Sequence, residues 1–371
     1  MTGTFTYANP AAISYGPGSL DGLAAIVGSL GARRPLLVST APVLDNPALL
    51  DLVLAALPVA PVATAAIGGH APLDDVNNAL TARFAADADL VISLGGGGPI
   101  DAAKGVARGA LAAAARVGAA SQTGMAADTP PNRVPHVALP TTLAAAELSW
   151  RAGFSNTDGD KVGFADRGML PCHVFYEPRL AVHTPTALWL ATGVRALDHA
   201  VEGYLADGDH PLSDVLAVES VARLLDALPR TAADPSDIAA RGDAQVAAWF
   251  SYTLPLASMT GLSHQMGKQI GARHRIGHGD ASALLLPHVM RYRATLDPVR
   301  ADTLSRALDR RLADGTHQAA DRVAGLIAQL GLPQHVAAFG VTPADLDRAA
   351  AEIATPKHPA GDLSAVYRAA L

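Results

Sequence analysis

The 371-residue chain is poor in cysteine and in lysine. Its one thiol, Cys172, has no second cysteine with which to form a disulfide, so we expect a reducing, cytoplasmic setting. Of the 28 basic residues only four are lysine, at positions 104, 161, 268 and 357, and the other 24 are arginine. Each lysine is therefore a candidate for a specific role, although codon bias would also explain their rarity.

Two further absences exclude classes of partner. Charged residues make up 17% of the chain, the net charge is −6, and there is no basic run. Because phosphate backbones are bound by clustered Lys and Arg, we expect no nucleic-acid partner. No apolar stretch is long enough to span a bilayer, and the N-terminal segment lacks the basic start and apolar run of a signal peptide, so we expect no membrane partner.

Half of the residues are hydrophobic, and the length of the chain fits two packed domains. In the first part of the chain, helical patterns separate short apolar runs that predict strands: PLLVST, VATAAI, ADLVISL and HVALPTT. Continuous apolar strands that alternate with helices favour a parallel sheet with helices on its faces. The small, polar and Pro-rich segment 120–133 predicts an exposed loop within this domain.

The strand pattern stops near Thr184, and long helical patterns follow, beginning with ALWLATGVRALDHAVEGYL. We therefore predict an α/β dinucleotide-binding domain over residues 1–178 and an all-α domain over residues 179–371. The crevice between two such domains is the expected ligand site.

The segment LGGGGPIDAAKGVA joins the third predicted strand to a helix. Without Cβ atoms, Gly95, Gly96, Gly97 and Gly98 let backbone N–H groups approach phosphate oxygens, and the N-terminus of the helix adds a favourable dipole. A pyrophosphate would fit this arrangement. A tight structural turn would use the same glycines, so this segment alone leaves both explanations open.

The wider pattern resembles the iron-type alcohol dehydrogenase and maleylacetate reductase superfamily, which has a dehydroquinate synthase-like fold. The glycine run resembles its GGGS-x-x-D-x-A-K phosphate loop, with Gly98 in place of the usual serine, and LPTTLAAAE resembles its PTT-x-x-x-x-E stretch. The resemblance implies an NAD or NADP cofactor. Besides the glycines, it implies cofactor contacts for Asp101, Thr141, Thr142 and Lys161.

Thr40 follows the strand PLLVST, at the position where many members carry an Asp that binds the adenosine ribose. Without that carboxylate a 2′-phosphate is not repelled, so the choice between NADH and NADPH stays open. A plain turn residue is an equally good interpretation of Thr40.

The segments GVRALDHAVEGY and GLSHQMGKQIGARHRIGH resemble the metal-binding signatures of this superfamily. In metal-bearing members an Asp and a His four apart on one helix, with two later His, hold Fe²⁺ or Zn²⁺. The histidine positions are kept here as His199, His264 and His278, but Arg195 stands at the carboxylate position. A guanidinium has no lone pair to offer and repels a dication, so we expect no metal. If a metal were bound, the three histidines would be its ligands.

Lys268 is a second departure, because members of the superfamily commonly carry a His four residues after the ligand His264. On a helix Lys268 shares a face with His264. Asp198 is better placed to pair with Arg195 at i+3 than to act as a replacement ligand. The site has thus lost an acid and gained two cations, and an exposed surface lysine is the alternative, less favoured explanation of Lys268.

These substitutions predict the chemistry. Hydride transfer to a carbonyl builds negative charge on oxygen, which has to be stabilised. We predict a metal-independent NAD(P)H-dependent reductase that acts on a small anionic, carboxylated enone or ketone. Arg195 and Lys268 would bind the carboxylate or the developing oxyanion, and His199 or His264 would donate the proton, with His278 nearby.

The maleylacetate reductase branch resembles this chain most, since it also lacks the metal-binding Asp. It usually keeps a neutral residue at the position of Arg195 and a His at that of Lys268, so the substrate is expected to differ from maleylacetate. A redox-neutral lyase or cyclase on the same fold is the alternative, and a catalytically inactive scaffold is a third. Members usually assemble, so the resemblance also implies a homodimer.

Overall fold

The computed structural model describes residues 10–109, 132–156, 161–208, 210–252 and 261–371, apart from the side chains of Lys161 and Phe164. The chain divides into two compact units, Tyr7–Thr184 and Pro185–Leu371. This division falls a few residues after the one expected from the sequence. Among the described residues, no helix has the length and apolar character that a membrane crossing requires.

The first unit is built on a six-stranded sheet with the order β1-β8-β5-β4-β2-β3, in which every neighbouring pair is parallel. A two-stranded antiparallel hairpin, β6-β7, lies outside it. The strands are β1 Ala12–Tyr15, β2 Pro35–Ser39, β3 Ala63–Ala66, β4 Leu90–Gly95, β5 His136–Pro140, β6 Arg151–Ser155, β7 Lys161–Ala165 and β8 His173–Tyr176.

The α-helices of this unit follow strands or short turns. They are α1 Leu23–Ser29, α2 Ala41–Leu44, α3 Pro47–Ala56, α4 Leu73–Ala85, α5 Gly97–Arg108 and α6 Pro178–Ala181. Local chemistry sets their ends: Asn46 accepts a hydrogen bond from the N–H of Leu49 at the start of α3, and α5 is followed by Gly109, whose φ of 81° favours glycine.

Both faces of the sheet are buried, which explains the continuous apolar runs. In β2, Leu36 and Val38 pack into one hydrophobic cluster, while Leu37 packs into another. Side chains that alternate along a strand point to opposite faces, so both faces of β2 are covered. The parallel sheet predicted from the sequence is confirmed.

The order of the strands reverses between β2 and β4. From β2 the chain passes to β3 on one side and then returns to β4 on the other. Ligands of open α/β sheets bind outside the carboxyl ends of the strands at such a switch point. Thr40 follows β2 and the glycine run follows β4, so both lie at this point.

The four strands predicted from apolar runs are present, but β1, β8 and the hairpin β6-β7 were not predicted. β1 and β8 pair with each other, and β8 also pairs with β5. Most of the loop predicted over 120–133, and the end of the helix predicted to follow α5, lie outside the described residues.

The second unit is helical, and its described residues contain no strand. Its α-helices are α7 Thr186–Tyr204, α8 Pro211–Ala233, α9 Ile238–Ser251, α10 Leu262–His274, α11 His278–Leu296, α12 Pro298–Leu312, α13 Ala319–Gln329, α14 Pro343–Ile353 and α15 Ala360–Arg368. α7 is largely buried against α8, α9, α10 and α11. Polar side chains in its second half are therefore desolvated and need partners inside the unit.

Lys104 in α5 is fully buried and holds the first unit together near the glycine run. Its Nζ donates to Asp101 Oδ1 at 2.9 Å, to the carbonyl of Ala146 at 2.7 Å and to that of Arg151 at 2.6 Å. The other Asp101 oxygen accepts from the N–H of Gly153 at 3.0 Å. Lys104 and Asp101 thus tie α5 to the segment that leads into β6.

We expect Lys104→Met to lower the free energy of unfolding by about 3 kcal/mol, because it removes one partner of a buried, hydrogen-bonded pair. Lys357→Met is the matched control, since Lys357 also pairs with an Asp, Asp207, but its side chain is 49% exposed. The control should cost at most about 1 kcal/mol. Urea unfolding of the two variants measures both values, and equal losses would contradict the assignment.

Candidate functional site

The glycine run forms a sharp turn between β4 and α5. Gly95 has a φ of 137°, a conformation that strains any side chain, and a Cβ there would lie 3.2 Å from Pro99 Cγ. A Cβ on Gly96 would lie 3.0 Å from Thr142 Cγ2, whereas one on Gly98 would meet nothing closer than 3.8 Å. The turn therefore depends on glycine at its start and has room for a side chain at its end.

Hydrogen bonds fix the strand ends around this turn. The N–H of Thr141 donates to the carbonyl of Gly95 at 2.9 Å, and Ser39 Oγ donates to that of Leu94 at 2.6 Å. Thr184 Oγ1 donates to the carbonyl of Thr141 at 2.6 Å. The turn is thus held rigidly at the carboxyl edge of the sheet, as a phosphate-binding turn has to be.

The structure places the other residues expected at the cofactor as follows. Thr141 and Thr142 are buried beside the turn. Thr40 is half-buried and immediately precedes α2. Both carboxylate oxygens of Asp101 are engaged by protein groups, so a cofactor contact of Asp101 stays a prediction. Lys161 begins β7, but its side chain lies outside the described part of the chain.

In the helical unit, Arg195, Asp198, His199 and Glu202 follow one another at helical spacing on α7. Positions i, i+3, i+4 and i+7 share a face, so the four side chains project to the same side of the helix. Three side chains from two other helices meet this face, namely Ser263 and His264 of α10 and Ser282 of α11.

Arg195 forms the ion pair that the spacing predicted. Its Nη1 lies 3.6 Å from Asp198 Oδ2 and donates to Ser282 Oγ at 3.3 Å. Asp198 is fully buried, and its Oδ2 also accepts from Ser282 Oγ at 2.5 Å and from Ser263 Oγ at 3.1 Å. Burial raises the pKa of Asp198, while the guanidinium of Arg195 and the Ser282 hydroxyl act in the opposite direction.

His264 forms a second pair, with Glu202. Its Nδ1 lies 2.6 Å from Glu202 Oε2, and both residues are buried. Burial, together with the positive charge of Arg195, lowers the pKa of His264 to about 3, and burial raises the pKa of Glu202 to about 7. The imidazole of His264 is therefore neutral at physiological pH.

His199 lies between two rings. Its ring centroid is 4.9 Å from that of His264 and 4.9 Å from that of Tyr252. Burial holds the pKa of His199 well below its usual range, and the charge of Arg195 acts in the same direction. Its Nδ1 is buried and forms no hydrogen bond with the described residues.

Lys268 and His278 are both exposed in the helical unit. Lys268 lies one turn after His264 on α10, and its charge acts on His264, whose pKa it helps to lower. His278 begins α11, and its charge acts on His199 in the same way. The five predicted residues therefore lie in one neighbourhood, with His199 and His264 buried, Arg195 partly buried, and Lys268 and His278 exposed.

Sequence reasoning missed Glu202, Ser263 and Ser282. Glu202 could have been found, because it lies three residues after His199 and seven after Arg195, on the face already identified. The two serines belong to other helices, and no spacing along the chain connects them with Asp198. Their role depends on the packing of α10 and α11 against α7.

Three buried side chains of this site form a group that could hold a metal ion. Asp198, Glu202 and His264 bring three donor atoms within 4.8 Å of one another. Two ligands at tetrahedral angles on one Zn²⁺ lie about 3.4 Å apart, whereas Glu202 Oε2 and His264 Nδ1 lie 2.6 Å apart, and neither atom has a hydrogen-bond partner among the described residues. Asp198 is engaged by Arg195, which also occupies the position of the missing carboxylate ligand.

Comparison with known proteins identifies the family. The sequence model of iron-containing alcohol dehydrogenase matches residues 10–178, and that of the C-terminal part of the Fe-containing alcohol dehydrogenase family matches residues 189–364. A maleylacetate reductase from Rhizobium sp. is 30% identical over 346 residues, which cover 93% of this chain and 89% of the relative. A 1,3-propanediol dehydrogenase from Klebsiella pneumoniae is 28% identical, with coverage of 92% and 90%.

Solved structures show the same similarity. A maleylacetate reductase from Agrobacterium tumefaciens superposes with a TM-score of 0.81 at 27% identity, covering 100% of this chain and 99% of the other. A sulfoacetaldehyde reductase from Bifidobacterium kashiwanohense, solved in complex with NAD⁺, gives a TM-score of 0.86 at 22% identity, with coverage of 99% and 98%, and supports the fold alone.

These named relatives are reductases and dehydrogenases, so the lyase or cyclase alternative gains no support from them. The predicted fold and the predicted superfamily are both confirmed. The chain belongs to the iron-containing alcohol dehydrogenase family, close to its maleylacetate reductase branch, and is an NAD(P)-dependent oxidoreductase.

Proposed function

We propose that this oxidoreductase is a metal-independent reductase of a carboxylated enone or ketone, with a reaction similar to that of maleylacetate reductase. The observation that carries the proposal is the Arg195–Asp198 pair, which stands at the position of a metal-ligating carboxylate. A divalent ion placed there would face a permanent cation instead of a negative ligand. The positive charge that stabilises the developing negative charge on oxygen then has to come from side chains.

Arg195 is suited to bind an anionic group. Its side chain is held by Asp198 and Ser282 and is 16% exposed. Such a fork binds carboxylates by two parallel hydrogen bonds. Lys268 adds a second positive charge close enough to act on His264. The pair would bind the substrate carboxylate or the oxygen on which charge develops.

The glycine run is suited to bind the cofactor. Its backbone turn precedes the twelve-residue helix α5 at the switch point of the sheet, where a pyrophosphate is stabilised by free N–H groups and by the helix dipole. Thr40 brings no carboxylate to the end of β2, so both NADH and NADPH fit. When bound, the reduced nicotinamide supplies the hydride.

Proton transfer falls to a histidine of the helical unit. Hydride addition at carbon leaves negative charge that one proton has to neutralise. His199 and His264 lie beside Arg195, and both are neutral, so either would have to act through an N–H of the neutral imidazole. Arg195 and Lys268 hold the anionic substrate while that proton is delivered.

We expect Arg195→Ala to lower kcat/KM for a carboxylated enone by about 100-fold or more, since a charge-assisted pair with the substrate is lost. The methyl ester of the same substrate, which lacks the charge, should change much less. Arg195→Lys, which keeps the charge without the fork, should be intermediate. Stoichiometric NAD(P)H consumption, followed by absorbance, measures all three, and an equal loss for acid and ester would contradict the role of Arg195.

Metal analysis gives a second test. We expect the purified protein to hold no stoichiometric metal and to keep its activity in the presence of a chelator. Arg195→Asp should restore a carboxylate ligand and bind Zn²⁺ with an affinity at least about 100-fold higher than the unchanged protein. Arg195→Asn, which removes the cation without adding a carboxylate, is the matched control. Activity that is lost on chelation and regained with Fe²⁺ or Zn²⁺ would overturn the proposal.

Two serine substitutions test the glycine turn. Gly95→Ser places a side chain at a φ of 137° and against Pro99, which costs about 1–3 kcal/mol of backbone strain. We expect it to weaken NAD(P)H binding by about tenfold or more. Gly98→Ser introduces the usual residue of the family into open space and should change the dissociation constant by less than about threefold. Fluorescence titration with NADH compares them, and equal effects would argue against this turn as the cofactor site.

A further inference from the structure

The turn formed by residues 68–71 follows β3 and lies against the glycine run. The N–H of Ala71 donates to the carbonyl of Gly68 at 3.2 Å, which closes the turn. A Cβ on Gly98 would lie 3.8 Å from the backbone nitrogen of Ala71 and 3.9 Å from the carbonyl oxygen of Gly68. The turn therefore borders the open space beside Gly98, where α5 begins.

Two consecutive residues of this turn have a backbone conformation that side chains disfavour. The φ angles of His70 and Ala71 are 63° and 48°, in the left-handed region that suits glycine. Ala71 is buried, but His70 is exposed, so packing against the core does not offset the strain at His70. Strained residues of this kind concentrate at ligand-binding sites, where the strain is retained for the sake of function. His70 is therefore a candidate ligand contact.

The protein holds this conformation through hydrogen bonds from two other elements. The N–H of Gly68 donates to Asp75 Oδ2 of α4 at 2.8 Å. At the end of β6, the N–H of Ser155 donates to the carbonyl of Ala71 and its Oγ donates to that of His70, both at 3.2 Å. The backbone position of His70 beside the glycine run is thus fixed by the fold itself, as preorganised binding requires.

The pyrophosphate expected at the glycine run carries more negative charge than the run itself can balance. It is a dianion, whereas backbone N–H groups and the helix dipole supply partial positive charges only. Lys104 of α5 has no N–H left for a phosphate oxygen, because Asp101 and two backbone carbonyls accept its three donors. Within the turn that borders Gly98, His70 has the one side chain that can donate a hydrogen bond.

We propose that the imidazole of His70 binds an oxygen of the cofactor pyrophosphate beside Gly98. The ring has an N–H donor in every protonation state that it adopts in proteins, so the contact does not depend on a charged imidazole. The inference rests on the proposed assignment of the glycine run to the cofactor, and it is independent of the metal-free chemistry proposed for the helical unit. It extends the phosphate site from the β4–α5 turn to the turn that follows β3.

His70→Gly has opposite effects on binding and on stability if the proposal holds. It removes the imidazole, so the dissociation constant for NADH should rise by about fivefold or more, as for the loss of one hydrogen bond to a charged group. It also relieves the strain at a φ of 63°, so the cofactor-free protein should melt at the same or a higher temperature. Fluorescence titration and thermal melting measure the two effects, and a dissociation constant within about twofold of the unchanged protein would overturn the inference.

Ala71→Gly is the matched control for a change in the backbone of the turn. It adds the same backbone freedom at the next residue, which also has a positive φ, but it keeps the imidazole. The methyl group that it removes is buried in the hydrophobic cluster behind the sheet. We expect the dissociation constant for NADH to stay within about twofold. Equal weakening by Ala71→Gly and His70→Gly would show that the conformation of the turn, and not the imidazole, is responsible.

His70→Asn and His70→Asp form a second pair that does not depend on glycine. Both residues tolerate a positive φ and have the same shape, but only the amide donates a hydrogen bond, whereas the carboxylate repels a phosphate. We expect His70→Asn to bind NADH within about threefold of the unchanged protein and His70→Asp to bind it at least about tenfold more weakly. Equal dissociation constants for the two variants would overturn the proposal.

The choice of nucleotide identifies the group that His70 contacts. NADH, NADPH and ADP-ribose share the pyrophosphate, so His70→Asp should weaken the binding of all three by the same factor, within about twofold. A loss confined to NADPH would place His70 at the 2′-phosphate, and a loss for NADH without one for ADP-ribose would place it at the nicotinamide. Either result would overturn the assignment to the pyrophosphate.

Gly95→Ser keeps this test separate from that of the proposed function. If Gly95→Ser weakens NADH binding and His70→Asp does not, the glycine run is the cofactor site and only the role of His70 is wrong. If neither variant changes the dissociation constant, the glycine run is not the cofactor site, and both proposals are overturned. Weakening by both variants, with Ala71→Gly unchanged, is the expected result.

Discussion

The helical unit depends on one electrostatic constraint, the burial of the Asp198 carboxylate in the middle of α7. A buried charge without partners would cost several kcal/mol, so the neighbouring helices have to supply donors. Ser263 comes from α10, Ser282 from α11, and Arg195 from the preceding turn of α7 itself. The same requirement that joins three helices also fixes the position of the Arg195 guanidinium.

The sequence was most informative where a pattern repeats locally. Apolar runs predicted four adjacent strands of the sheet, β5, β4, β2 and β3, and the i+3 spacing predicted the pairing of Arg195 with Asp198. The strands β1 and β8 at the other side of the sheet were not predicted. Ser263 and Ser282 contact Asp198 from more than fifty positions away in the chain, and no periodicity within a single sequence indicates such contacts.

Family membership and chemistry are separate conclusions for this chain. Similarity over about 90% of the length of a maleylacetate reductase establishes the fold and the use of a nicotinamide cofactor. Arg195 and Lys268, the residues proposed to bind the substrate, depart from the pattern that the family resemblance implies, and both departures add positive charge. The fold therefore limits the range of possible reactions, while the charged side chains of the site determine which substrates can bind.

The positive charge of Arg195 is covalently part of the protein, whereas a metal ion has to be bound. A ferrous ion has to be acquired after folding, competes with other ions for its site, and is lost when oxygen oxidises it or when iron becomes scarce. A guanidinium is in place as soon as α7 packs, and it neither dissociates on dilution nor changes its oxidation state. If the proposed role of Arg195 holds, the activity of this protein would be independent of the cell's iron supply and insensitive to air.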